Sequence, residues 1–256
     1  MNKKYVRFSP KGQNLPRYGS LEVDNVTALD KAPWLGGMET GDKYKLDEVQ
    51  LLAPVEPSKV VCIGLNYHAH VKASQSANEA PEYPLIFLKP PSSVIGQDEK
   101  IIYPPQSQRV DYEAELGVVV GQTAKGVSRD DAIKYVFGYT CVNDVTARDL
   151  QKKDGQWSRA KGFDTFCPVG PWIVTDLKYQ DVLVEGVLNG EVKQSGRTSL
   201  MIFDIPYLVS YISSVMTLNP GDLISTGTPA GIAPMKSGDI IEVKLEGIGT
   251  LRNTMA

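Results

Sequence analysis

Arg109-Val-Asp-Tyr-Glu-Ala-Glu-Leu-Gly-Val-Val-Val120 alternates strictly, with Asp111, Glu113 and Glu115 set between Val110, Tyr112, Ala114 and Leu116. Period two marks a strand, and it predicts one strand over 110–120 with all three carboxylates on one face. Glu113 and Glu115 then stand one pleat repeat apart, where two uncompensated charges repel by roughly 2 kcal/mol at an effective dielectric of about 20. Acids are also poor strand formers. Two readings follow: a wet sheet face whose acids need no partner, or a buried set compensated by a divalent cation. Taken alone, the stretch reads as the wet face, and the rest of the chain has to move that balance.

The chain has 256 residues, room for one large domain or a main domain with a small appendage. Its 42% hydrophobic and 22% charged residues fit an ordinary globular protein. A net charge of −3 without a dense Lys/Arg run argues against a nucleic-acid partner. Cys62, Cys141 and Cys167 are widely separated and form no C-x-x-C, which supports neither a disulfide framework nor a zinc ribbon and suits a reducing compartment. The basic start, Met1-Asn-Lys-Lys-Tyr-Val-Arg-Phe8, is followed by no apolar h-region, and no apolar run reaches membrane-spanning length. The expectation is a soluble cytoplasmic protein with no membrane partner.

Residues 1–55 are rich in Gly, Pro, Asp and Lys around short apolar patches at 4–8 and 21–23, and read as a small strand-and-turn appendage. The main domain is placed at 56–256, beginning with the buried-strand run Lys59-Val-Val-Cys-Ile-Gly64. Further strands are expected at 85–88, 137–144, 171–174, 182–188, 223–226 and 239–244, separated by turn signals such as Asn189-Gly190 and Asn219-Pro-Gly221. Three helix starts are legible. Ser128 with Asp131 and Thr146 with Asp149 resemble capping boxes. Asp204 is an N-cap ahead of Pro206 and of the core stripe Ile205, Leu208, Val209, Ile212, Val215 and Met216. The fold class is a β-rich mixed α+β domain.

Only two histidines exist, His68 and His70, so a three-His zinc site is impossible. A metal held by this chain is mostly oxygen-ligated, which points to Mg²⁺ or Mn²⁺. His70, in Gly64-Leu-Asn-Tyr-His-Ala-His70, reads alone as an exposed loop histidine, or as a general acid–base after a strand. Asp144 ends an apolar strand beside a helix carrying Arg148, as a third metal ligand or as ordinary turn chemistry. Lys161, in Arg159-Ala-Lys-Gly-Phe-Asp164, reads as a surface lysine or as the partner of a substrate carboxylate or enolate. The small-residue loop Ser225-Thr-Gly-Thr-Pro-Ala-Gly231 offers Thr228 and backbone N–H groups, including that of Gly227, to an anionic ligand. No P-loop, G-x-G-x-x-G opening a helix or G-x-S-x-G elbow is present.

In order, Gly64-Leu-Asn-Tyr-x-x-His70, Leu85-Ile-Phe-Leu-Lys-Pro90, Asp111-Tyr-Glu-Ala-Glu-Leu116, Asn143-Asp-Val-Thr-Ala-Arg-Asp149, Arg159-Ala-Lys-Gly-Phe-Asp164 and Thr226-Gly-Thr-Pro-Ala-Gly231 resemble the fumarylacetoacetate hydrolase family from about residue 50 onward. The resemblance implies that family's β-sandwich roll, a homodimer, and Glu113, Glu115 and Asp144 as ligands of Mg²⁺ or Mn²⁺. It further implies Lys161 beside the substrate, Thr228 on the substrate loop, His70 on a lid, and Arg148 orienting Asp144 or the substrate carboxylate. The implied substrate is a small 2-oxo or β-diketo acid cleaved at a C–C bond, by acylpyruvate hydrolysis or oxaloacetate decarboxylation. One departure stands out. Many members carry a glutamate three residues after the lid histidine, and here that position is Ala73. This weakens water activation and keeps two further expectations in view: an oxaloacetate keto–enol tautomerase or dienoate isomerase, and a catalytically weakened dicarboxylate-binding protein.

Overall fold

The computed structural model describes residues 3–73 and 79–256. The chain opens with β1 (Lys4–Pro10), β2 (Arg17–Glu22), β3 (Asn25–Leu29), β4 (Glu39–Lys45) and β5 (Val49–Leu52). β6 (Val60–Gly64), α1 (His68–Ala73), β7 (Leu85–Lys89), β8 (Val94–Ile95) and β9 (Lys100–Ile101) follow. Next come β10 (Val110–Asp111), β11 (Ala114–Val120), β12 (Val136–Asn143), β13 (Thr146–Ala147), α2 (Arg148–Asp154), α3 (Ser158–Lys161) and β14 (Cys167–Val174). The chain closes with β15 (Leu183–Leu188), β16 (Glu191–Arg197), α4 (Ile205–Val215), β17 (Leu223–Ser225), β18 (Ile240–Leu245) and β19 (Gly249–Met255).

These strands form a 12-stranded sheet in the order β4-β3-β2-β1-β14-β12-β11-β17-β6-β7, with β5 and β8 joined off that path, and a five-stranded sheet β16-β15-β18-β19-β9. The two sheets share one core. Leu116, Val118 and Cys141 of the large sheet cluster with Val184, Val243 and Leu251 of the small one, and α4 adds Ile205, Leu208, Val209 and Ile212. On the other face of the large sheet, Val119, Val142, Cys62 and Ile173 form a second apolar layer. The centre of the sheet is therefore covered on both sides, which is why 116–120 is continuously apolar instead of alternating. The N-terminal strands have a small core of Val6, Phe8, Leu21, Val26, Ala28 and Val49, and β1 pairs antiparallel with β14. They continue the main sheet by hydrogen bonds. Among the described residues, no helix is long and apolar enough to cross a membrane.

Two local expectations need correction. The predicted strand over 110–120 is broken: β10 pairs with β13, β11 pairs with β12, and Tyr112-Glu113 lies between. There the Glu113 N–H donates to the Asn143 side-chain oxygen at 3.0 Å, a side-chain bond in place of a ladder bond. The wet-face reading also fails, because Asp111, Glu113 and Glu115 are all buried. Of the helix starts, Asp204 caps α4 by accepting the Tyr207 N–H at 2.9 Å, while Val215 at the far end of its stripe is exposed. Ser128 and Asp131 bond each other but open only a 3₁₀ turn, and the Thr146 hydroxyl donates back to the Asp144 carbonyl and caps nothing.

Candidate metal centre and active site

The register of three neighbouring strands builds the site. β11 pairs Ala114 with Asn143 and Glu115 with Val142 on β12, and Gly117 with Ser225 on β17. Glu113 just before β11, Glu115 on it, and Asp144 just after β12 are thereby brought to one place. Each offers a carboxylate oxygen within 4.8 Å of the others, and all three are buried.

Each carboxylate has its own partners. Lys161, at the end of α3, places Nζ 2.8 Å from Glu113 Oε2 and 2.6 Å from Asp144 Oδ2. Lys89, at the end of β7, places Nζ 2.5 Å from Asp144 Oδ1 and donates to the Val145 carbonyl at 3.0 Å. Arg148 at the start of α2 donates to Glu113 Oε1 and, at 2.9 Å, to Asp111 Oδ2. Glu115 has no cationic partner within ion-pair distance among the described residues; its Oε2 accepts from the Ser225 hydroxyl at 2.6 Å and the Gly227 N–H at 2.8 Å.

The protonation of the cluster follows from these contacts. Burial disfavours charge on Glu113, yet Lys161 and Arg148 outweigh it and hold the carboxyl well below the usual range. For Glu115, burial and the charges of Asp144 and Glu113 act together and push it up to about 8. Burial lowers Lys161, but Asp144 and Glu113 more than restore it, so the ammonium stays charged. Burial moves His70 down from 6.5; Glu113 opposes that, while Arg148 and Lys161 add to it.

Three buried carboxylates with one lacking a cationic partner are a hard, oxygen-only donor set. That set fits Mg²⁺ or Mn²⁺ and does not fit a thiolate- or imidazole-seeking ion. The Glu115 cradle is built for its acceptor role. Gly227 sits at φ +97°, and a Cβ there would lie 2.7 Å from the Asn66 Cβ, so only glycine lets the loop aim its N–H at Glu115.

The structure relocates several residues named from the sequence. His70 is 6% exposed on α1 and lines the cleft, neither exposed nor in a loop. Lys161 is buried, so the surface reading falls away. Thr228 lines the cleft, with its hydroxyl donating to the Ala114 carbonyl and accepting from Gln194, both at 2.8 Å. The Gly227 N–H donates to Glu115 Oε2 at 2.8 Å. Arg148 bonds Glu113 and Asp111 and not Asp144, one of the two partners expected for it beside the substrate carboxylate. Ala73 is exposed at the end of α1, and Ser74-Gln-Ser76 of the expected lid lies outside the described residues. Sequence reasoning missed Lys89, Gln151, Phe87 and Trp157. The signal for Lys89 was a lysine closing an apolar strand immediately before Pro90-Pro91. Gln151 stands one turn after Arg148 and accepts its Nη1 at 2.6 Å.

A buried carboxylate triad at the centre of a two-sheet β-rich domain, flanked by lysine, arginine and histidine, defines the class. The family model described as fumarylacetoacetate (FAA) hydrolase C-terminal matches residues 59–256, and one described as Rv2993c-like, N-terminal matches 3–54. The chain belongs to the fumarylacetoacetate hydrolase family. It is 44% identical to the oxaloacetate tautomerase YisK of Bacillus subtilis, over 82% of this chain and 74% of that protein. It is likewise 44% identical to a 2,4-didehydro-3-deoxy-L-rhamnonate hydrolase of Sphingomonas, over 99% of this chain and 96% of the other. Among solved structures, a 5-carboxymethyl-2-hydroxymuconate delta-isomerase from Mycobacterium smegmatis superposes with a TM-score of 0.92 at 44% identity, covering 99% of each chain. The chain is thus a family enzyme whose relatives are described as a tautomerase, a hydrolase and an isomerase.

Proposed function

We propose that the protein catalyses divalent-metal-dependent enol chemistry on a small 2-oxo acid, with keto–enol interconversion of oxaloacetate as the specific case. One observation carries this reading. His70 is buried on the cleft wall, its Nδ1 has no hydrogen-bond partner among the described residues, and the position one helical turn on is Ala73. Activating water for attack at carbon calls for a base held and polarised by a second group. Moving a proton at the carbon beside an oxo group needs only a neutral imidazole within reach.

Glu113, Glu115 and Asp144 would hold Mg²⁺ or Mn²⁺, which when bound supplies Lewis-acid stabilisation of negative charge on the oxo oxygen. The chain's own residues do the rest. Lys161 presents a fixed positive charge to substrate oxygens in a buried setting where such a charge acts strongly. Arg148 fixes the rotamer of Glu113, and Ser225 and Gly227 fix that of Glu115. His70, whose lowered pKa keeps it neutral at pH 7, takes and returns the proton.

C–C cleavage is the second reading, favoured by the hydrolase relative that matches nearly the whole chain. From the family resemblance we further propose a homodimer, and from the three separated cysteines a reducing compartment such as the cytoplasm. Purified protein with Mg²⁺ is to be assayed against oxaloacetate, acetylpyruvate and fumarylpyruvate. Loss of enol absorbance without CO₂ or acid release is the expected result. Release of acetate or fumarate would replace the proposal by hydrolysis, and CO₂ by decarboxylation. Saturable binding of oxaloacetate without turnover would make the protein a dicarboxylate binder.

A further inference from the structure

Trp157 is the residue before α3, and its carbonyl accepts the Lys161 N–H at 2.9 Å, so the two side chains stand one helical turn apart on the same face. The indole centroid lies 6.0 Å from Lys161 Nζ, and the Phe87 ring lies 5.0 Å from the same atom. The two rings meet edge to face at 5.2 Å and both line the cleft. Because Lys161 Nζ itself touches Glu113 and Asp144, these rings form an apolar wall directly beside the charged centre.

Trp157 is also held from behind. A Cβ added at Gly64 would sit 2.6 Å from the indole Cζ3 and 2.9 Å from Cη2, so the ring packs flush on bare backbone at the end of β6. Glycine at position 64 lets the ring lie back against the sheet; any larger residue would push it off that seat. Tryptophan is the bulkiest side chain, with only two side-chain torsions, and it is trapped here between Gly64 and Phe87. Such a ring is a wall and not a flexible cover.

We propose that Trp157, seated on Gly64, sets the length limit of the acid the site accepts. The carboxylate and oxo oxygens belong at the charged centre, so a substituent at the far end of the acid runs toward the indole. Short 2-oxo acids fit in front of the ring, and acids with a bulky distal group do not. This rests on the 2-oxo acid reading above and names the substrate class within it.

The test compares kcat/KM for oxaloacetate with that for a 2-oxo acid carrying a distal aryl group, in wild type, Trp157→Ala and Trp157→Phe. Removing a wall from an apolar pocket changes discrimination by roughly tenfold or more, so Trp157→Ala should raise the aryl-to-oxaloacetate ratio by at least that factor. Trp157→Phe should give an intermediate ratio. Gly64→Ala, which pushes the ring off its seat, should move the ratio away from the wild-type value and change the tryptophan emission, and Gly64→Ala combined with Trp157→Ala should recover the Trp157→Ala ratio. A ratio unchanged within about twofold in Trp157→Ala, or equal losses for both acids in every folded variant, overturns the proposal. If wild type turns over neither acid, the functional reading fails separately. The length limit is then read by calorimetry in Mg²⁺, with oxalate as the short ligand and the same aryl acid as the long one. Tighter binding of the aryl acid alone by Trp157→Ala supports the limit; no such change refutes it.

Discussion

His70 shows how one residue's surroundings choose its chemistry. Burial is the main reason its pKa falls below 6.5, and the nearby cations Arg148 and Lys161 push the same way against Glu113. The unfolded chain therefore takes up a proton near pH 6.5 that the native site refuses until a lower pH. Stability from this residue is present above 6.5 and is lost as pH falls from there toward the native value. Activity should follow the same sign: flat through neutral pH, with an acidic limb displaced below 6.5. A bound divalent cation moves that limb further down, never up. A rate profile with its limb above 6.5, or one retained in His70→Asn, would rule out the imidazole as the proton carrier. Lys89 gives the second residue-scale prediction. It is one of two ammonium groups on Asp144, and both members of the pair are buried. Lys89→Met leaves part of a buried carboxylate uncompensated and should cost about 3–5 kcal/mol of stability in urea unfolding. A loss below about 1 kcal/mol would mean that Lys161 alone satisfies Asp144.

At the scale of elements, the site is the meeting point of strand ends and one loop, and this decides what was legible in the sequence. Period two set Glu113 and Glu115 on one face but read alone as a wet face, and Asp144 read alone as turn chemistry as readily as a ligand; only the ordered family motifs joined the three into one set. Arg148's true partner could not be found, since its bonds reach 35 and 37 residues back to Glu113 and Asp111. Likewise Lys89 meets Asp144 across 55 residues, and no periodicity records that. The break at Tyr112-Glu113 was hidden because alternation continues through it while the pairing partner changes from β13 to β12. Two predictions belong here. Gly227→Ala forces a Cβ onto Asn66, whose side chain ties the loop to Thr226 and Phe203 carbonyls at 2.7 and 3.1 Å. It should cost more than about 1 kcal/mol and weaken Mg²⁺ activation together, since the displaced N–H is the one on Glu115. Loss of stability with an unaltered Mg²⁺ dependence would separate the loop from the metal site. On α1, Ala73→Glu restores a carboxylate one turn from His70. If the missing dyad limits water activation, hydrolysis of acetylpyruvate should rise at least tenfold while oxaloacetate chemistry changes little; no rise would remove Ala73 from the argument.

For the whole molecule, the arrangement gathers Glu113, Glu115, Asp144, Lys89 and Lys161 into one buried charged cluster. Glu113 and Asp144 face Lys161, Lys89 and Arg148, and Glu115 adds a carboxyl with no cation of its own, so once all three are ionised the protein's own charges in this cluster come close to balance. A divalent cation added to that balance makes the site net positive, which matches a doubly negative 2-oxo acid and explains why metal and substrate should be needed together. The same ion binds only the folded chain, because the unfolded chain scatters Glu113, Glu115 and Asp144. Mass action then links metal to stability: at a hundredfold excess over Kd, one site adds about 2.7 kcal/mol. For a protein of this size that corresponds to a Tm rise of about 5–10 °C, at 2–4 °C per kcal/mol. Differential scanning calorimetry with Mg²⁺ or Mn²⁺ should show the rise in wild type, its reversal by a chelator, and its absence in Glu115→Gln, which keeps the side chain's size but removes its charge. A Tm indifferent to both ions, or a rise that survives in Glu115→Gln, would detach the carboxylate triad from the metal and with it the enol chemistry built on that centre.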